Sequence, residues 1–216
     1  MHNKKQAPKL FFSIFDPARQ KLLPLLAPLK SRFYLAGGTA LALQKGHRNS
    51  IDFDFFTVEP FDPAILERTL KQYLAGHDII VTQREPNTLS LEVDKNIRLS
   101  FFTFEYTLVK PLIKTPDLNL ASITDIGAMK LSAITQRSTL KDYIDLFVIL
   151  HDLQLKDLLA ATRQKFPTLD TNVVLKSLVY FEDIEDEPIT FQPNFKVNRH
   201  ELEQYIRERV RAEISA

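Results

Sequence analysis

The sequence predicts an α+β fold: a mixed β-sheet with flanking helices over residues 1–115, then a helical lobe over 116–216 packed on it as one continuous unit. Three observations carry that prediction. Runs with strand character (Arg32–Ala36, Ile51–Phe56, Asp78–Arg84, Thr88–Asp94 and Ile97–Phe104) all fall in the first half, interleaved with helical patterns. From Ser122 onward the periodic segments repeat with helical spacing. The composition is that of a globular chain: 216 residues, 44% hydrophobic and 25% charged, enough to bury a substantial core.

The first helix is expected over Pro17–Lys30, where Leu22, Leu23, Leu25, Leu26 and Leu29 make an apolar face. Pro24 and Pro28 interrupt it and predict a kink or two shorter pieces. The Arg32–Ala36 strand leads through Gly37-Gly38 into a helix over Thr39–Lys45. Asp62 is placed to cap a helix running to Ala75, with Pro63 at its first position and Gly76 past its end. Pro86-Asn87 and Lys95-Asn96 mark turns between the last three strands. Ser122-Ile123-Thr124-Asp125 reads as a capping box opening a helix to Arg137. Further helices are expected over Leu140–Leu153, Leu155–Lys165, Thr171–Phe181 and Asn198–Ile214. The acidic cluster Glu182, Asp183, Glu185, Asp186 and Glu187 reads as a solvated loop.

Composition removes several chemistries. There is no cysteine, which excludes disulfides, zinc–thiolate sites, iron–sulfur clusters and a cysteine nucleophile. Lys and Arg number 28 against 27 Asp and Glu, so a general electrostatic grip on nucleic acid or an anionic membrane is not indicated. Met1–Lys9 is basic and polar, and Phe11–Phe15 is too short for a signal-peptide core. No stretch approaches the ~20 apolar residues that span a bilayer. A soluble, cytoplasmic protein with no membrane partner is the expectation.

The residues that suggest chemistry are few. Asp52 and Asp54 flank Phe53 on an expected strand, and period-two alternation points both carboxylates to one face. Two ionised carboxylates so close repel unless a cation lies between them, and Mg²⁺ suits such a pair with phosphate oxygens and water completing its shell. An exposed edge strand with two solubilising acids would read the same way. Gly37-Gly38-Thr39 lies between strand and helix, where backbone N–H groups at a helix N-terminus attract an anion and Thr39 adds a hydroxyl donor. A plain glycine turn is the alternative. Arg48, Asn49 and Ser50, just ahead of the acids, are placed to contact phosphate or to support the carboxylates; neighbouring His47 reads as a surface residue.

Tyr34-Leu35-Ala36-Gly37-Gly38-Thr39-Ala40-Leu41-Ala42-Leu43, followed by His47-Arg48-Asn49-Ser50-Ile51-Asp52-Phe53-Asp54-Phe55-Phe56, resembles the AbiEii/AbiGii toxin branch of the DNA polymerase beta-like nucleotidyltransferase superfamily. A second block supports the resemblance: Ile123 to Ile134, Arg137, and Lys141-Asp142-Tyr143-Ile144-Asp145-Leu146. It implies a nucleotidyltransferase-like sheet, Mg²⁺ or Mn²⁺ on Asp52 and Asp54, and an NTP as substrate. The reaction implied is transfer of an NMP to an RNA, such as a tRNA 3′ end, or to a protein acceptor, by the toxin of a toxin–antitoxin or phage-defence system with an antitoxin protein as partner. By the same resemblance Asp52, Asp54 and Lys130 are catalytic. Gly37, Gly38, Thr39, Arg48, Ser50, Lys130, Arg137, Asp142 and Asp145 bind or frame the nucleotide.

The second block also has a plain physical reading. Lys130 and Arg137 are seven apart and share a helix face, Leu140, Tyr143, Ile144, Phe147 and Leu150 form a buried stripe, and Asp142, Asp145 and Asp152 form an acidic one. Lys141 and Asp145 are spaced for an ion pair. Charges of this kind also serve simply to staple two packed helices together. One feature departs from the superfamily pattern: a third carboxylate is usual on a later strand, and Ile97–Phe104 has none. Glu92, Asp94, Asp142 and Asp145 are the candidates to replace it. A catalytically degenerate nucleotide- or partner-binding module is the alternative function.

Overall fold

The computed structural model describes residues 9–184 and 187–215. In chain order the elements are α1 (Pro17–Leu26), β1 (Tyr34–Leu35), α2 (Gly37–Lys45), β2 (Phe53–Thr57), α3 (Pro63–Tyr73), β3 (Ile79–Glu85), β4 (Thr88–Val93), β5 (Ile97–Thr103), β6 (Ile113–Lys114) and β7 (Asn119–Leu120). Five helices follow: α4 (Ile123–Ala133), α5 (Leu140–Asp152), α6 (Leu155–Lys165), α7 (Thr171–Val179) and α8 (Arg199–Ile214). The strands join in one mixed sheet of order β3-β4-β5-β2-β1-β7-β6. The pairs β2–β5 and β1–β7 are parallel and the others antiparallel. The fold is the expected α+β arrangement.

Local chemistry explains most boundaries. Asp16 and Asp62 accept N–H bonds in the first turns of α1 and α3, each followed by proline at the first helical position, where no N–H partner is needed. Pro24 lies near the end of α1, and the chain leaves the α-helix as a 3₁₀ turn over Ala27–Ser31, the second of the two expected pieces. Asn87, Asp94 and Lys95 take positive φ in the hairpin turns, so Asp94 belongs to the turn and not to the strand expected to include it. Several elements fall short of expectation: the strand at Arg32–Ala36 contracts to β1, β2 begins at Phe53 and leaves Asp52 outside it, α3 stops at Tyr73 rather than Ala75, α4 stops at Ala133 rather than Arg137, and α7 stops at Val179. β6 and β7 were not expected, and β7 extends the sheet past residue 115.

The core begins on β2, where Phe53, Phe55 and Thr57 are buried and Asp54 and Phe56 face the other side. In the parallel register Phe55 lies opposite Phe101, their rings 5.0 Å apart and nearly coplanar. α2 packs its fully buried Ala40, Leu41 and Ala42 between the sheet and the helices α4 and α5. The capping box at Ser122 is only half formed. Ser122 Oγ accepts the Asp125 N–H at 3.0 Å, but the Asp125 carboxylate turns to Val109 N, Lys110 N and the buried Lys165 ammonium. Among the described residues no helix is long and apolar enough to cross a membrane.

Candidate functional site

Where α2 begins beside β2, the chain opens a cavity of about 610 Å³. One wall is built by Gly37, Gly38 and Thr39 together with Ser50, Asp52 and Asp54. Ala36 enters extended, and Gly37 turns the chain at φ +68°, a left-handed conformation that costs glycine little. Gly38 serves a different need: a Cβ there would overlap Arg48 Nη2 and approach Asp145 Oδ2 to 3.4 Å. The first turn of α2, whose N–H groups have no intrahelical partner, thus comes up against the cavity with no side chain at its first two residues.

Asp52 sits immediately before β2 and Asp54 within it, and both border this cavity. The Thr39 hydroxyl donates to the Asp52 carbonyl and receives the Ser50 hydroxyl at 2.7 Å, so both hydroxyls fix the backbone of the acid pair. Neither carboxylate has a hydrogen-bond or ion-pair partner among the described residues. Burial, and then the charge of Asp52, push the Asp54 carboxyl above its ordinary range, against the pull of Lys130, Arg137 and Arg98.

The opposite wall carries the cations: Lys130 from α4, Arg137 and Thr139 from the turn after it, and Lys141 and Asp142 from α5. Beneath lies a buried charge network. Asp145, fully buried, accepts Arg48 Nε and Nη2 at 2.8 Å each, His47 Nε2 at 2.9 Å and Lys130 Nζ at 2.7 Å. Asp142 accepts Lys130 Nζ at 2.6 Å, the Thr139 hydroxyl at 2.8 Å and Arg137 Nε at 3.1 Å. Burial opposes these charges, but the ring of partners overcomes it: Lys130 beside Asp145 and Asp142 is held above its usual value, and Asp145 beside Lys130 and Arg48 is held well below.

Several expectations need correction. His47 is buried, not on the surface; burial drives its imidazole pKa down, and Asp145 only partly offsets this. The Lys141–Asp145 pair does not form: Asp145 turns inward and Lys141 meets Glu187 at 2.5 Å. Glu187 is therefore no solvated acid, whereas Glu182 and Asp183 are exposed as expected; Glu185 and Asp186 lie outside the described residues. Asp152 pairs with Lys45 on the outer side of the helices. Arg48 spends Nε, Nη1 and Nη2 on Asp145 and the Asn49 carbonyl, a supporting position.

None of the four acids named as candidates is free to supply the third carboxylate at the cavity. Ser100 lies opposite Asp54 in register and Phe102 opposite Phe56, so the neighbouring strand offers a hydroxyl and a ring on that face. Glu92 and Asp94 do not border the cavity, and Asp94 is bonded to His77 at 2.7 Å. Asp142 and Asp145 are committed to cations. Among the described residues no cluster of three or more His, Cys, Asp or Glu could hold a metal ion.

Residues that sequence reasoning missed complete the enclosure: Phe102, Met129, Lys141, and the segment Glu187, Pro188, Ile189 and Thr190. The β2–β5 register brings in Phe102. The segment had no local signal: it is laid along the site by Asn49 N to Thr190 O at 2.8 Å and Gln192 N to His47 O at 3.0 Å.

An uncharacterised protein of Aquifex aeolicus (strain VF5) is 39% identical to this chain over 161 residues, covering 72% of this chain and 76% of that protein. MenT4, a nucleotidyltransferase toxin of Mycobacterium tuberculosis H37Rv, superposes with a TM-score of 0.62 at 18% identity, over 89% of this chain and 80% of its own. JHP933 of Helicobacter pylori superposes with a TM-score of 0.52 at 16% identity, over 95% and 97% of the two chains. At those identities the solved structures speak for a shared fold. The sequence profile of the nucleotidyl transferase AbiEii toxins of type IV toxin–antitoxin systems matches residues 23–212, a span that takes in both walls of the cavity, and the chain belongs to that family.

Proposed function

We propose that this protein is the toxin of a toxin–antitoxin pair and transfers a nucleoside monophosphate from an NTP to a hydroxyl of an RNA, such as a tRNA 3′ end, or of a protein. It acts in the cytoplasm and is restrained by an antitoxin protein. One observation carries the reading: a carboxylate pair with no described partner, a helix N-terminus opened by two glycines, and Lys130, Arg137 and Lys141 all border the same cavity. In the reaction the acceptor oxygen bonds to the α-phosphorus and gives up its proton to water, while the bond to the bridging oxygen breaks and pyrophosphate leaves. The N–H groups of Gly37 and Gly38 receive phosphate oxygens. Lys130 and Arg137 face the charge that accumulates on the leaving group. Thr39 and Ser50 hold the backbone of the acid pair, while Arg48, Asp142 and Asp145 position Lys130 and Arg137.

Asp52 and Asp54 suit Mg²⁺ or Mn²⁺: they are hard oxygen donors two residues apart, both border the cavity, and neither is paired with a described side chain. A divalent ion held there would neutralise polyphosphate charge.

The test is incubation with each labelled NTP, Mg²⁺ or Mn²⁺, and total RNA or protein. Label should pass to an acceptor, and Asp52→Asn should reduce the rate at least ~100-fold. No transfer with any NTP, or undiminished transfer by Asp52→Asn, refutes the proposal. The serine opposite Asp54 favours one rival, a binding module without chemistry. Calorimetry showing NTP binding indifferent to Mg²⁺, with no turnover, would select that rival.

A further inference from the structure

The cationic wall carries three acids, and they are not equivalent. Asp142 and Asp145 are buried on α5 and fixed by three or more contacts each. Glu187 lies on the irregular segment before α8, and among the described residues its carboxylate meets Lys141 alone: Oε2 pairs with Lys141 Nζ at 2.5 Å, and Oε1 accepts the Lys141 backbone N–H at 3.1 Å. Both side chains are partly exposed, at 45% for Lys141 and 27% for Glu187, and both border the cavity. The Glu187 charge is felt at Arg48, whose backbone pairs with Phe191 of the same segment. Thr139, at the N-cap of α5, makes no side-chain cap bond of its own, since its hydroxyl goes to Asp142. Glu187 thus places an anion on a helix N-terminus and a lysine, the same pair of donors that a phosphate group takes.

We propose that Lys141 is an exchangeable cation of the nucleotide cavity, held by Glu187 until the polyphosphate of the incoming nucleotide displaces that carboxylate. The proposal rests on the nucleotide-site reading above. The exchange trades one ion pair for another while moving Glu187 away from a multiply charged ligand. It makes Glu187 an internal competitor for the site and Lys141 a direct contact of the phosphate chain. Nothing covalent changes.

The experiment measures the Kd of an NTP, with Mg²⁺, and of inorganic tripolyphosphate by calorimetry at two ionic strengths. The proteins are the wild type, Glu187→Gln, Lys141→Met, Lys141→Arg and the Glu187→Gln/Lys141→Met double variant. Glu187→Gln keeps the shape and should tighten both ligands roughly three- to tenfold, less at high salt. Lys141→Met should weaken both about tenfold, and Lys141→Arg should recover most of that loss. In the Lys141→Met background the gain from Glu187→Gln should shrink below about twofold, because no lysine remains to compete for. An unchanged Kd in Glu187→Gln, or a gain that persists in full without Lys141, overturns the exchange while leaving the nucleotide site intact. A wild type that binds neither ligand overturns both.

Discussion

Replacing Asp145 by Asn probes the centre of the charge network. The carboxylate is fully buried and accepts two nitrogens of Arg48, one of His47 and the Lys130 ammonium. An amide keeps one acceptor but turns an NH₂ toward donors, and it leaves Arg48 without the carboxylate that pairs with it. Lys130 retains Asp142. Removing one partner of a buried pair costs about 3–5 kcal/mol, and for a chain of this length each kcal/mol moves the melting midpoint by roughly 2–4 °C. A fall of about 6–20 °C is expected by differential scanning calorimetry near neutral pH. The difference should also depend on pH. Because the folded-state pKa of Asp145 lies well below its unfolded value, its contribution is fully present above the unfolded pKa and is lost as pH falls toward the folded one. The wild-type advantage should therefore narrow below about pH 4, where the unfolded carboxyl takes up a proton. A midpoint shift under 2 °C at neutral pH, or an advantage that grows in acid, would refute the network as described.

Gly38→Ala should push Arg48 off Asp145, since its Cβ would overlap the guanidinium; overpacking of this kind costs about 1–3 kcal/mol, read by urea unfolding, and transfer activity should fall with it. Asp54→Asn should stabilise the metal-free protein by about 0.5–2 kcal/mol near neutral pH. The raised Asp54 carboxyl makes stability fall as pH rises through its folded value, so the gain should vanish in acid, and melts with and without Mn²⁺ should show any metal-dependent rise abolished in the variant. Lys165→Met removes a wholly buried partner of Asp125 far from the cavity, and should cost about 3 kcal/mol in chemical denaturation while leaving the transfer rate per folded molecule unchanged.

The helices and the hairpin strands could be read from the chain because their signals are local: Asp62 before Pro63, Asn87 in its turn, Leu and Ile at helical spacing. The acid pair stands out in the chain because Asp52 and Asp54 are two residues apart, although β2 begins only at Phe53 and it is the cavity, not strand alternation, that they share. What escaped was set by distant contacts. β6 and β7 are two residues each and exist because they pair with one another and, through β7, with β1. His47 reads as a loop residue until Asp145, 98 positions on, closes over it. Lys141 had two acids within reach. Its neighbour on the same helix was the natural guess, but Asp145 had stronger claims from Arg48 and Lys130, which left Glu187.

The cavity borrows a wall from the end of the chain, and that has a consequence during synthesis. Gln192 docks onto Asn49 across 143 residues, so at a translation rate of ~10 residues per second the first half waits about 15 s for its last piece. Until then the nascent polypeptide presents glycines and acids in an open trough, with neither Thr190 nor Glu187 beside them. Synthesis thus delivers the glycines and acids first and their enclosure later, and a fragment broken off before Pro188 lacks Ile189 and Thr190 from the cavity's lining.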